Sequence, residues 1–562
     1  MNENQSGLRQ QLSPDNAPSE QNVITDAIQY CREGLAIYPE NFELWYNLGT
    51  SLIVLSRFSE AIDTLQQAIA LKPDFANAYI NWGVALNEQG LPENAIQCYR
   101  QGLAACPDNA DLWYSLGSIL LAVSRLPEAV TALQQAIALE PGLACAYTNL
   151  GNAFNKQSLS LDAIQCYQTG LANCPGSEEL WFNLGTSLLK VQRLPEAVAA
   201  LKQAITLKPD FADAYLNLGN ALQAQGQAEN AIAAYNQALA LNPTDLEIYY
   251  NRATAILLSG NLEHGFYEYE WRTQIKRFHH FYEWFGGQPR WCGENFAGKR
   301  LLIYHEQGFG DALQFCRYLP LVKARGGSVL FSAKKPLLRL LTTLPGCDEL
   351  IEHTAEAIRQ AKYDLVVPLL SLPYIFGTTL STIPANIPYL AAGQHSIAVW
   401  RNKINAAGPN LRVGLVWASN SDNIVGHIRT CGLQAMAPLA EIPGITFYSL
   451  QKDKAALEAH TPPPGMPLID LTGDIDDFAD TAALIMNLDL VISVDTAVTH
   501  LAGALGKPVW TLLPAAGEWR WLLKRNDSPW YPAIRLFRQS TPGDWRSVMT
   551  AVAQELRMLV SA

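Results

Sequence analysis

The chain has 562 residues, 49% of them hydrophobic and 16% charged, with a formal net charge of -12. That composition buries large cores and excludes a disordered chain, and the length predicts three or four folding units. The acidic balance excludes nucleic acid as a general partner, because binding a phosphate backbone draws its energy from counterions displaced by basic residues.

Residues 1–21 are polar and proline-bearing and predict a disordered N-terminus without an apolar signal core. No stretch reaches the ~18 uninterrupted apolar residues of a membrane span, so the expected location is cytoplasmic. Ten scattered cysteines without a Cys-x-x-Cys pair read as reduced thiols.

Residues 22–253 repeat. Pro39, Pro73, Pro107, Pro141, Pro175, Pro209 and Pro243 fall at intervals of 34 residues, the period of the tetratricopeptide repeat (TPR). In the unit ending at Pro209, Trp181, Leu184, Gly185 and Leu188 mark one face of a first helix, and Ala197, Leu201, Ala204 and Ile205 mark a second. Proline closes each unit because it cannot continue a helix. No unit buries its apolar face alone, so a stacked superhelix is expected. The units alternate in two types, which implies duplication of a 68-residue pair. Asn47, Asn81, Asn149, Asn183, Asn217 and Asn251 share one slot of the first helix. Such a ladder of amides can hold an extended peptide by its backbone along the concave face, since Asn both donates and accepts. It can equally serve helix packing.

Residues 254–298 are dense in aromatic and basic residues. Trp271, Tyr282, Trp284 and Trp291 read as packing between domains, and His279 and His280 as surface or packing histidines. From Arg300 short apolar runs alternate with amphipathic stretches, which predicts parallel sheets flanked by helices. Two sets occur, giving one lobe over 299–395 and a second over 396–562 that ends in a helix.

Three strand-to-helix junctions carry candidate chemistry. In HEQGFGDALQF, Gly308 and Gly310 permit a tight turn, and Asp311 at the helix mouth serves either as a cap or as a general base toward an acceptor hydroxyl. In VISVDTAVTHLAG, a strand ends at Asp495-Thr496 and a helix begins at once; its free N–H groups suit a pyrophosphate, with His500 one turn in. In WASNSDNIVGHIRT, Arg429 is the cationic candidate for phosphates, near His427. The run holding Asp474, Asp476 and Asp477 is read as helix capping rather than metal binding.

Gly308-x-Gly-Asp311 followed by LQFCRYLP, together with Asp495-Thr496 and His500-Leu-Ala-Gly-Ala-Leu-Gly-Lys-Pro, resembles the bacterial heptosyltransferase family. The whole chain resembles bacterial TPR-glycosyltransferases, and its domain order is similar to that of eukaryotic O-linked N-acetylglucosamine transferase. The resemblance implies an α-solenoid followed by a GT-B domain of two Rossmann-like lobes, and an inverting, metal-independent transfer with no cofactor besides the nucleotide-sugar co-substrate. It implies that Asp311 matches the proposed catalytic carboxylate and that Asp495, Thr496 and His500 match the donor loop. The sequence departs from the family at Ala497, where glycine is usual, and lacks a recognisable phosphate-binding lysine motif around 419–431, where Arg429 is a replacement. The expected function is transfer of a sugar to an acceptor recruited by the repeats. The rival readings are an inactive scaffold that senses nucleotide sugar and a nucleotide-sugar epimerase.

Overall fold

The computed structural model describes residues 20–276, 282–285, 287–404, 410–419, 424–515 and 517–561. The chain divides into two units that meet at Pro209 and Asp210, inside the repeat array rather than at its end. His279, His280 and the stretch 1–19 of the expected disordered segment lie outside the described residues, and a helix already begins at Glu20.

In the first unit paired helices run from Glu20–Ile37 to Leu194–Leu207. The duplicated pair has a packing basis. Gly117 and Gly185 lie so close to Leu133 and Leu201 that an added Cβ would sit 2.6 Å from the leucine Cγ. In the alternate units Gly83 and Gly151 face Tyr99 and Tyr167, where a Cβ would come within 2.2 Å of the ring. The Tyr167 hydroxyl donates to Asn152 Oδ1 at 2.8 Å, so a leucine contact alternates with a tyrosine that needs a polar partner. The Trp45, Trp113 and Trp181 indoles each donate to the carbonyl of the preceding closing proline, tying turn to helix.

The Asn ladder is used in part within the array. Asn81 Nδ2 donates to Thr50 Oγ1 and Asn149 Nδ2 to Ser118 Oγ, both at 2.9 Å and both in the preceding unit. Asn47 is exposed, whereas Asn183, Asn217 and Asn251 are half-buried.

In the second unit the repeats continue through helices Ala212–Ala224, Ala228–Leu241, Leu246–Leu258 and Leu262–Tyr269. Two parallel sheets follow. The first lobe contains β1 (Arg300–Tyr304), β2 (Ser328–Ala333), β3 (Glu349–Glu352) and β4 (Leu365–Pro368) in the order β3-β2-β1-β4. The second contains β5 (Leu411–Val416), β6 (Ile445–Ser449), β7 (Leu468–Asp470), β8 (Leu490–Val494), β9 (Val509–Leu513) and β10 (Ile534–Arg538) in the order β10-β9-β8-β5-β6-β7. Every predicted apolar run forms its strand, because a strand covered by helices on both faces needs a continuous apolar stretch. The strand order of the second lobe reverses between β5 and β8, the position where doubly wound sheets open a crevice at their carboxyl ends. The terminal helix is Trp545–Ser561.

The aromatic segment packs the last repeat onto the lobes. Trp271 stacks on Tyr249 at 4.7 Å, Trp284 lies against His353, and Trp291 is fully buried beside Phe296 and Phe376. The side chain of Tyr282 lies outside the described residues. Arg272, with 0% exposure, reaches Glu306 and Ser371 at 2.9 Å and Glu270 at 2.7 Å.

Gly151→Ala is expected to destabilise the array by about 1–3 kcal/mol through overpacking against Tyr167. Gly142→Ala, whose added carbon meets nothing within 4 Å, should leave the melting transition followed by circular dichroism unchanged or slightly raised.

Candidate functional site

A cleft of about 650 Å³ opens between the two lobes. The carboxyl end of β1 contributes Gln307 to Asp311. The ends of β5 and β6 contribute Ala418, Ser419 and Gln451 to Asp453; Asp495 to Val498 follow β8, and Arg520 follows β9. The predicted residues Asp311, Arg429, Asp495, Thr496 and His500 therefore come together, although up to 189 positions separate them in sequence. The amide ladder does not line this cleft.

The glycine-rich turn differs in detail from its expectation. The left-handed residue is Gln307, at φ +58°, and not a glycine. Tyr269 of the last repeat helix accepts from Gln307 Nε2 at 2.9 Å, while the Gln307 carbonyl accepts from Lys334 Nζ at 2.9 Å. These bonds hold a backbone conformation that is sparsely populated outside glycine. Gly310 is required by a close approach instead, since a Cβ there would lie 2.9 Å from His500 Cδ2 of the opposite lobe.

Asp311 sits in the first turn of helix Phe309–Phe315, with Gly308 as the N-cap. Its Oδ2 accepts from the Gly308 N–H at 2.9 Å, so a capping role is present. Its Oδ1 is ion-paired with Arg520. Arg520 is the central group that the sequence did not reveal. Its guanidinium also pairs with Glu518, donates through Nε to Gln314 at 3.0 Å, and stacks 4.1 Å from the Trp519 ring centroid. The sole signal was an arginine between tryptophans in GEWRW, outside any periodic element. Burial opposes its charge, but Glu518 and Asp311 outweigh that, so Arg520 stays protonated. Burial also pushes the Glu518 carboxyl above its usual range despite Arg520.

Asp495 is buried, yet Arg429, His500 and Arg520 outweigh the burial penalty and hold its carboxyl below the usual range. Arg429 lies 3.2 Å from Asp495 and is a quarter exposed, so the pair aims a partly satisfied guanidinium into the cleft. Thr496 is the N-cap of helix Ala497–Ala504, and its hydroxyl lies 3.1 Å from Ser493 Oγ. Its side chain makes no cap bond, and the first amides of a helix have no partner within it. His500 stacks on Trp521, and its Nδ1 lies 3.0 Å from the Tyr531 hydroxyl, which turns the Cδ2–Nε2 edge toward Gly310. Burial pushes its pKa down to about 4.

Asp477 caps helix Phe478–Met486 through the amides of Ala479 and Asp480, and it pairs across the cleft with Arg339. Phe309 and Phe478 face each other with centroids 5.1 Å apart. Residues 420–423, within the stretch where a phosphate-binding motif was sought, lie outside the described residues, and His427 is exposed.

Among known proteins, residues 46–110, 114–178, 182–245 and 216–264 match the tetratricopeptide repeat model, and residues 445–530 match glycosyltransferase family 9 (heptosyltransferase). The chain is 30% identical over 294 residues to protein FlbA of Caulobacter vibrioides, covering 48% of each chain. It thus spans about half the length of that curated relative. Solved structures resemble part of the chain. The Pseudomonas aeruginosa pilF protein is 20% identical, with a TM-score of 0.34, over 38% of this chain and 96% of its own. A chain of the APC/C hetero-tetramer Cut9-Hcn1 is 20% identical, with a TM-score of 0.34, over 42% of this chain and 46% of its own. None of the described helices is long and apolar enough to cross a membrane.

The folded pKa of His500 lies below the unfolded value of about 6.5, so the unfolded chain takes up protons first as pH falls. Its contribution to stability is complete above about pH 6.5 and is lost toward pH 4. Glu518 acts oppositely, stabilising at low pH and losing that contribution as pH rises through its raised folded pKa. Replacing His500 by Asn should flatten the decline of melting temperature between pH 6.5 and 4.

Proposed function

From a chain that carries tetratricopeptide repeats ahead of a segment matching glycosyltransferase family 9, we propose an inverting transferase that moves a sugar from a nucleotide-sugar donor to a hydroxyl of a protein recruited by the repeats. One observation carries this reading. A carboxylate from the first lobe and a helix N-terminus beside an arginine from the second face the same cleft, whose volume suits a nucleotide sugar.

Asp311 takes the proton of the acceptor hydroxyl. The freed oxygen forms a bond to the anomeric carbon from the face opposite the leaving group, and the bond from that carbon to the diphosphate oxygen breaks, its electron pair leaving with the diphosphate. Charge grows on the diphosphate as this bond breaks. Arg429 and the amides opening helix Ala497–Ala504 meet that charge with donors already oriented, the arrangement that lowers a barrier most. Neutral His500, fixed by Tyr531 and Trp521, offers its Nε2 edge to a sugar or phosphate oxygen. A protein acceptor fits the repeats, whose first helices stack along the array, although at Asn81 and Asn149 the amide N–H groups are engaged in packing.

A thermal-shift screen against UDP, GDP, ADP, CMP and dTDP should find one nucleotide that raises the melting temperature with dose. Asp311→Asn should lower transfer by about 100-fold or more, the scale of a lost general base, while keeping the fold, because the amide oxygen can still cap Gly308. No response to any nucleotide would move the assignment to a scaffold.

A further inference from the structure

Asp311 has both carboxylate oxygens occupied, Oδ1 by the Arg520 guanidinium and Oδ2 by the Gly308 amide. Each oxygen keeps a second acceptor site, but the Asp311 side chain is 12% exposed, so a hydroxyl that reaches Oδ1 must do so beside the guanidinium. The cleft also presents a charge problem to any diphosphate. Asp311, Asp453, Asp476, Asp477 and Asp495 line it, against Arg429, Lys452 and Arg520. Lys452 donates to the Thr472 and Ile475 carbonyls, at 3.0 and 3.1 Å. Arg429 is shared with Asp495. Arg520 bridges two carboxylates, Asp311 and Glu518.

We infer that Arg520 is a donor-responsive cover on Asp311: the diphosphate of the donor draws the guanidinium from Asp311 Oδ1, and its withdrawal opens that oxygen to the acceptor hydroxyl. This deepens the proposed function and rests on it. The exchange conserves charge locally, since one carboxylate–guanidinium contact, through Nη2 alone, is replaced by one phosphate–guanidinium contact. Glu518, Gln314 and the Trp519 ring hold the arginine's remaining surface, so it pivots rather than leaves. Donor binding thereby precedes activation of the acceptor, and a bound acceptor alone stays inert. Arg520 acts through Asp311 on the proton and directly on the leaving phosphate.

Calorimetric titration of the full chain with inorganic pyrophosphate, and with the nucleotide selected by the melting screen, separates the possibilities. The cover predicts competition between Asp311 and phosphate for one guanidinium. Asp311→Asn should therefore bind pyrophosphate about threefold or more tighter than the parent, and Arg520→Gln about tenfold or more weaker. The double variant should match Arg520→Gln alone, because without the arginine the carboxylate has nothing to withhold. Arg520→Lys, which keeps the charge and loses the fork, should fall between the parent and Arg520→Gln, and guards against a folding defect in the latter. Unchanged or weaker pyrophosphate binding in a normally melting Asp311→Asn protein overturns the cover while leaving the transferase reading intact. If the parent binds neither pyrophosphate nor any nucleotide, the transferase reading fails and the cover with it.

Discussion

Arg272 carries a full positive charge into a place with no solvent contact, and the site is organised around that fact. A buried guanidinium is tolerated only when its donors are matched, and loss of one partner from such a pair costs about 3–5 kcal/mol. Glu306, Glu270 and Ser371 supply the match. Glu306 also accepts from the Leu370 amide at 3.2 Å, so one carboxylate fixes the segment after β1 to the segment after β4. The last repeat thus sets the position of the loop that carries Asp311.

That constraint has an apolar complement. The final helix pair has no following repeat on which to stack, and it closes against the lobes instead. Phe266 meets Trp519 edge-on at 5.6 Å and lies near Phe315 and Trp530. Phe315 belongs to the helix that carries Asp311 in its first turn, and Trp519 adjoins Arg520. The same packed helix therefore supports both members of the Asp311–Arg520 pair, and its Tyr269 accepts from the left-handed Gln307. A second arginine, Arg317, spans the lobes, donating to the Trp530 carbonyl at 2.7 Å and lying over the Tyr531 ring that positions His500. Charge and aromatic surface are used together because each ring covers a guanidinium face while carbonyls and carboxylates take its edge.

The electrostatics of the cleft divide by partner. His500 and Asp495 are both buried, yet burial leaves the histidine neutral while the aspartate keeps its charge beside Arg429. A neutral hydrogen-bonding edge and an ion pair consequently sit one helical turn apart at the mouth of the same helix.

The sequence by itself determined the local elements. The interval of 34 residues marked the repeats, and the apolar runs marked the strands found among the described residues, because helix stacking and strand burial act over a few neighbouring residues and leave a period in the chain. The two main junction motifs were legible for the same reason, since a strand that ends in a polar turn and a helix mouth is a local pattern. Tertiary structure decided what those motifs touch. Arg520 lies 209 positions from Asp311, and its placement depends on how β9 and the segment after it pack across the cleft from β1. Gly310 looked like a turn residue and is instead the contact that lets His500 approach, while Gln307 takes the left-handed conformation because Tyr269 and Lys334 hold it there. Contacts of this kind are set by two surfaces meeting, and neither surface records its partner in its own periodicity.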